Sequence, residues 1–227
     1  MQDSFDLLIA LKELGFLHNG RDPFWWPQSG TFEVVVGALL TQQSKWERVE
    51  ASLSHLKAAN LLTLEALSYA DAQQIASLIK PSGFYNTKAQ RVIKLCENIR
   101  QDFATFDRFV NEVDRRWLLS QKGIGMESAD SILCYACHRP VCVVDSYTQR
   151  LLGAFGYTFD SYTELQEWME QGIEENFHKI KVLYGEEADL ATVYARFHGK
   201  IVEYAKKHIR GKQVDVAPLL KALEESI

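Results

Sequence analysis

The segment from Trp117 to Arg150, WLLSQKGIGMESADSILCYACHRPVCVVDSYTQR, constrains the fold more than any other part of the chain. A helix ends near Leu119, and the chain then turns through Gln121-Lys122-Gly123-Ile124-Gly125. Two glycines flanking one apolar residue suit a tight hairpin whose backbone N–H groups approach a ligand with no side chain in the way. A second helix follows, with Ala129, Ile132, Leu133 and Ala136 on one face. The N–H groups opening that helix point outward and favour an anion, naturally a phosphate. The apolar run Val141-Cys142-Val143-Val144 then delivers Asp145 to the N-cap of a helix from Ser146 to Phe155. There the helix dipole keeps a carboxylate ionised.

Composition sets the class. At 227 residues, 47% of them hydrophobic, the chain can bury a core in one large domain or two small ones. Helix formers dominate and alternating strand patterns are scarce, so the expected class is all-α. The start, Met1-Gln2-Asp3, is not a secretory signal, and no apolar run approaches the roughly 18 residues that span a bilayer. A cytoplasmic protein with no membrane partner is expected. The net charge of −5 argues mildly against nucleic acid, since phosphate neutralisation supplies most non-specific affinity. Lys88, Arg91, Lys94, Lys122, Arg139 and Arg150 either form a local basic face or are solvated helix charges.

Taken in order, residues 3–16 place Leu7, Leu8, Leu11 and Leu14 at helical spacing. The loop from His18 to Pro27, HNGRDPFWWP, sets Trp25 and Trp26 between prolines, where the rings either cover a core or line a pocket. Thr31 to Thr41 is apolar nearly all round, a central buried helix. Trp46 opens an amphipathic helix to about Ala58. One or two short helices fill residues 63–79, stopped by Pro81-Ser82-Gly83, and Asn86 caps a helix through Val92, Ile93, Leu95, Cys96 and Ile99. Phe106 to Leu119 reads as one helix leading into the hairpin. Ser161-x-x-Glu164 is a capping box opening a helix to about Lys181. Asp189 to about Lys207 is another, with Leu190, Val193, Phe197, Ile201 and Tyr204 on one stripe. Lys200 lies at the edge of that stripe, a place from which lysine ordinarily reaches water; buried instead, its amine would have a lowered pKa and become a reactive or modified site. Val216 to Ile227 is amphipathic and docks on the surface. Cys134, Cys137 and Cys142 lie C-x2-C-x4-C, with Cys96 as the fourth cysteine. Buried thiols on a core helix are the better reading than a metal site.

A GxG hairpin is a weak signal alone; followed by a helix, an apolar segment and an Asp 20 residues on (145 − 125), it is a strong one. This stretch resembles the helix-hairpin-helix of the endonuclease III-like, or HhH-GPD, DNA glycosylases. The phrases FWWP, LLTQQS, GFYNTKA, QKGIG and VVD occur in the family's order over about half the chain. The resemblance is greatest to bacterial 3-methyladenine DNA glycosylases without an iron–sulphur cluster. It implies two helical domains: residues 31–138, a barrel containing the hairpin at about 117–137, and residues 1–30 plus 139–227, with the active-site cleft between them. It makes Asp145 the catalytic carboxylate. Lys122, Gly123, Ile124 and Gly125 become the phosphate contacts, with a monovalent cation on hairpin carbonyls near Gln121 and Gly123. Gln42 becomes the amide that fills the stack vacated by a flipped base. Trp25, Trp26, Pro27 and Trp46 would form the base pocket.

Two departures matter. Relatives that also cut the backbone carry a Lys two residues after the second Gly, where this chain has Glu127. A carboxylate cannot form the imine, so water becomes the nucleophile. Relatives with an iron–sulphur cluster use four cysteines near the C-terminus, and here none follows Cys142, so no cofactor is expected. The expectation is therefore a monomeric, monofunctional glycosylase acting on double-stranded DNA containing alkylated purines. The alternatives are a mismatch or oxidised-base glycosylase, a non-catalytic helix-hairpin-helix DNA-binding protein, or a small-molecule enzyme on an unrelated helical fold.

Overall fold

The computed structural model describes residues 1–17 and 23–225. Residues His18 to Asp22 of the tryptophan loop, and Ser226 and Ile227 of the expected C-terminal helix, lie outside the described residues. In chain order the helices are α1 (Ser4–Glu13), α2 (Phe32–Leu40), α3 (Trp46–Ala58), α4 (Leu64–Ser68), α5 (Ala72–Leu78), α6 (Tyr85–Phe103), α7 (Phe106–Glu112), α8 (Arg115–Ser120) and α9 (Met126–Ser131). After the hairpin come α10 (Ser146–Ala154), α11 (Tyr162–Glu175), α12 (Phe177–Tyr184), α13 (Leu190–His208) and α14 (Ala217–Glu225). A π-helical turn, Ile132–Ala136, continues α9. A two-stranded antiparallel ribbon, β1 (Ile209–Arg210) with β2 (Gln213–Val214), joins α13 to α14. Strands of two residues are too short to leave an alternating pattern in the sequence.

The chain divides into a terminal unit, Met1–Pro27 with Arg139–Ile227, and a central unit, Gln28–His138. The first crossing falls at Pro27, ahead of residue 30. Gly30 donates its N–H to the Tyr135 carbonyl at 2.8 Å, which ties this short segment to the central unit.

In the central unit α2 is buried on every side except Glu33, and packs against α3, α6, α9 and the π-turn. Burying a Val or Leu side chain stabilises by about 1.5–3 kcal/mol, so this one helix anchors the unit. The run read as a single helix from Phe106 is two. Val113 and Asp114 are extended (ψ 139° and 167°), and Asp114 accepts the Trp117 N–H at 2.7 Å. A carboxylate able to cap gives the backbone an alternative to continuing the helix. Lys88 does not belong to a basic face: it is 3% exposed. Its amine donates to the carbonyls of Leu40 and Ser82, each at 2.8 Å, and burial pulls its pKa down to about 8.

In the terminal unit α1 packs against α11, α13 and α14. The core holds Leu7, Leu11, Met169, Phe197, Ile201 and Leu219. The segment from Ser161 also breaks in two, at Asn176 (φ −104°, ψ 15°). There the side-chain amide donates to the Gly172 carbonyl at 2.9 Å. Ser161 caps the Glu164 N–H, but the reciprocal bond goes one residue further back, from the Asp160 N–H to Glu164. Leu219 and Ala222 seat one face of α14 on the core, while Leu220, Lys221 and Glu224 stay exposed, as an amphipathic helix docked on the surface requires.

Candidate functional site

The hairpin is built from two unlike glycines. Gly123 has φ +89°, and a Cβ on it would come within 2.4 Å of the Arg91 Nε, so both backbone and packing demand glycine. Gly125 has an ordinary φ of −97°, and a Cβ there would meet nothing within 4 Å. Nothing in the chain itself requires a glycine at 125. Ile124 is 7% exposed and donates its N–H to the Gln121 carbonyl at 3.1 Å, while Lys122 and Gly125 are exposed. Arg115 on α8 clasps Asp130 on α9 with two bonds, 2.7 and 2.9 Å, and Asp130 is completely buried. This bidentate pair clamps the two helices of the hairpin together.

Gln42 lies against this hairpin. Its Nε2 donates to the Gly123 carbonyl (2.8 Å) and to Ser128 Oγ (3.0 Å), and Arg91 donates to its Oε1 at 3.4 Å. The amide is thus occupied within the protein. The Gly123 and Gln121 carbonyls each accept one hydrogen bond and keep a second lone pair, and the Arg91 guanidinium stands beside Gly123. Gln43 is exposed with left-handed backbone (φ +53°). Phe84 is 67% exposed and also left-handed (φ +46°). Strained, exposed positions of this kind persist where function needs them. Lys88 bonds both the end of α2, which leads to Gln43, and Ser82, which leads to Phe84.

Asp145 caps α10. Its Oδ1 accepts the Thr148 N–H (2.8 Å) and the Thr148 hydroxyl (2.9 Å), while the Asp145 N–H donates back to Thr148 at 3.4 Å. With Oδ1 committed to the cap, Oδ2 is the oxygen left for chemistry, 3.6 Å from His198 Nε2. Burial opposes ionisation of Asp145, but His198 and the Thr148 bonds outweigh it and hold the carboxyl below the ordinary carboxylate range.

His198 belongs to a face of α13 that also holds Trp25. The two rings meet edge-on with centroids 5.5 Å apart, and a Cβ on Gly199 would come within 2.4 Å of the Trp25 ring. The Trp25 indole N–H donates to Glu203 Oε1 at 3.4 Å. Trp25 is half-buried with φ +67°, whereas Trp26 is 8% exposed and meets it edge-on. Trp26 therefore covers core, and Trp25 keeps part of its ring open. Pro27 is exposed. A mid-helix glycine costs about 1 kcal/mol relative to alanine, and here it makes room for an indole. His198, Gly199 and Glu203 are absent from the sequence reading. The His-Gly pair inside an apolar stripe was the signal that could have found them.

Trp46, half-buried, opens α3 in the central unit. Lys200 is 4% exposed and donates to the Phe16 carbonyl. Burial lowers its pKa to about 8, with Arg196 and Lys12 adding to the effect, and it lines a cavity of about 270 Å³ with Arg196 and Asp189. It does not reach water as a surface lysine would. All four cysteines are free and buried. Burial first, with Glu97 and Asp130 next, pushes the Cys96 and Cys134 thiols above their usual range. Among the described residues no cluster of three or more His, Cys, Asp or Glu gathers to hold a metal, and no helix is long and apolar enough to cross a membrane.

Known proteins resemble this chain in sequence and fold. The HhH-GPD superfamily base excision DNA repair family matches residues 36–175. A Methanocaldococcus jannaschii protein named "Putative DNA repair glycosylase" is 34% identical over 218 residues, covering 93% of this chain and 92% of the relative. The crystal structure of the H. pylori 3-methyladenine DNA glycosylase MagIII, bound to 1,N6-ethenoadenine, superposes with a TM-score of 0.87 at 47% identity, covering 90% of this chain and 98% of that one. A trapped endonuclease III–DNA covalent intermediate shares the fold, with a TM-score of 0.68 at 17% identity over 100% of this chain and 99% of that one. The chain belongs to the HhH-GPD superfamily of base excision DNA repair proteins.

Proposed function

We propose that this protein is a monofunctional DNA glycosylase that releases alkylated purines such as 3-methyladenine from double-stranded DNA. One observation carries the reading: helix α13 holds a half-open indole, Trp25, and flanks an ionised carboxylate, Asp145, on the same unit. A positively charged purine gains about 1 kcal/mol from an aromatic face that a neutral purine does not. It is also already a good leaving group, so the site needs little general-acid help. The C1′–N bond breaks with its electron pair passing to the base, which leaves neutral. Asp145 stabilises the cationic sugar and takes a proton from the water whose oxygen bonds to C1′. Glu127, exposed in the first turn of α9, supplies no amine for a Schiff base. Among the described residues Cys96, Cys134, Cys137 and Cys142 do not gather into a group that could hold a metal, so they do not fit an iron–sulphur cluster.

DNA contact falls to the hairpin. Gly125 presents bare backbone to open space, as a phosphate requires. Trp46, on the central unit, is a separate candidate ring for the base. The residue that fills the vacated stack is read here as Gln43 with Phe84, since the Gln42 amide serves the hairpin. The MagIII likeness supports an alkylated purine as substrate.

Chromatography of bases freed from a methylated duplex tests this. Wild type should free methylated purines, and Gln43→Ala and Phe84→Ala should free them at least about tenfold more slowly, since unstacking costs a few kcal/mol. Release of mismatched or oxidised bases with no methylated purine would replace this reading with the rival.

A further inference from the structure

We infer that Glu203 is a specificity-determining residue: its carboxylate, bonded to the Trp25 indole N–H, biases that ring toward positively charged bases over neutral ones. The inference rests on the proposed glycosylase reading and goes beyond it by assigning selectivity to a residue on α13. Glu203 Oε1 lies 3.4 Å from Trp25 Nε1, and the side chain is 18% exposed. An N–H donated to an anion moves electron density into the indole ring, which strengthens the negative face that attracts a cation. The partly desolvated carboxylate adds its own field, screened less than one in bulk water. Lys206 Nζ shares the same oxygen at 3.4 Å from a more exposed position, 43%, and partly offsets that charge. His198 and Gly199 fix the ring on the same helix face, so Glu203 acts on a ring held in place. A neutral lesion gains from the stacking area alone and is indifferent to the charge behind the ring.

The test compares single-turnover release of 7-methylguanine, a cation, with that of 1,N6-ethenoadenine, neutral, from otherwise identical duplexes. For Glu203→Gln the cation-to-neutral rate ratio should fall about fivefold, the scale of one cation–π contact. Lys206→Met, which removes the opposing charge, should raise the ratio. In a Trp25→Phe background, which lacks the N–H donor, Glu203→Gln should lower the ratio by less than it does in wild type, since only the carboxylate's own field remains to be lost. Equal loss on both lesions would mean that Glu203 only holds the ring, and would overturn the inference. So would an unchanged ratio. If Glu203→Gln folds poorly, the Lys206→Met rise still decides the matter, and its absence counts against the inference. Failure of wild type to release these two bases, together with failure to release 3-methyladenine from a methylated duplex, would sink the glycosylase reading itself, a separate outcome.

Discussion

Asp145→Asn is expected to fold like the parent and to release base about 10³-fold more slowly, within the range for a positioned general base. On the proposed reading the two consequences separate, because the cap uses one carboxylate oxygen and the chemistry the other. Oδ1 accepts both Thr148 bonds, and an asparagine carbonyl oxygen can accept the same pair. Asn is as good an N-cap as Asp, so the stability loss should stay within about 1 kcal/mol, most of it the lost charge at the helix N-terminus. Oδ2, 3.6 Å from His198, is where the variant loses its negative charge and its proton acceptor. The pH dependence has a definite sign. The folded Asp145 carboxyl titrates below its unfolded value, despite the burial that opposes ionisation. Its contribution to stability is therefore present above about pH 4 and lost as pH falls through the lower, folded value. The acidic limb of the activity profile should lie below the ordinary carboxylate range. Urea titration and single-turnover release, run on both proteins, check the two halves. A variant that unfolds, or one that keeps more than a tenth of the parental rate, would contradict this division of labour.

Arg115→Met should be the most damaging substitution for the fold among the residues of the hairpin. Asp130 is fully buried, and its two bonds from Arg115 are the pair that joins α8 to α9. Removing the guanidinium takes from this buried carboxylate the cation that bonds both its oxygens, a loss of about 3–5 kcal/mol. Against a typical domain stability of 5–15 kcal/mol, that brings the variant close to its unfolding threshold. The double variant Arg115→Met with Asp130→Leu should recover most of the loss, because an apolar pair of similar volume no longer carries an uncompensated charge. Equilibrium urea unfolding of the three proteins decides the point. A single-variant loss under about 1 kcal/mol would place the bridge with weak surface pairs.

What the sequence disclosed follows the range of the forces involved. The Asp145 cap and the Gly123 turn are settled within a few residues, so they could be read directly. Breaks at Asp114 and Asn176 were missed, although each is a local event: a polar side chain competed with a helix that the apolar periodicity seemed to continue. Lys88 and Lys200 looked like surface charges because no local pattern reports that the carbonyls of Leu40 and Phe16, far away in sequence, accept their hydrogen bonds. Trp25 and Glu203 are 178 residues apart, so no local pattern couples them. Gly199 was the nearest thing to a clue, since a glycine inside a long helix needs a reason, and here the reason is an indole. The same holds for Gln42, whose neighbourhood in the sequence suggested an intercalating amide and whose hydrogen-bond partners, Gly123 and Ser128, lie 81 and 86 residues away.

The central claim is that water, activated by Asp145, rather than an enzyme amine, takes the sugar. The most direct measurement incubates the protein with an end-labelled methylated duplex, with and without borohydride, and scores strand breaks before and after alkali. The account predicts breaks only after alkali, and no protein–DNA adduct trapped by borohydride, since Glu127 cannot form an imine. Breaks without alkali together with a trapped adduct would show an amine nucleophile at work, and would contradict it.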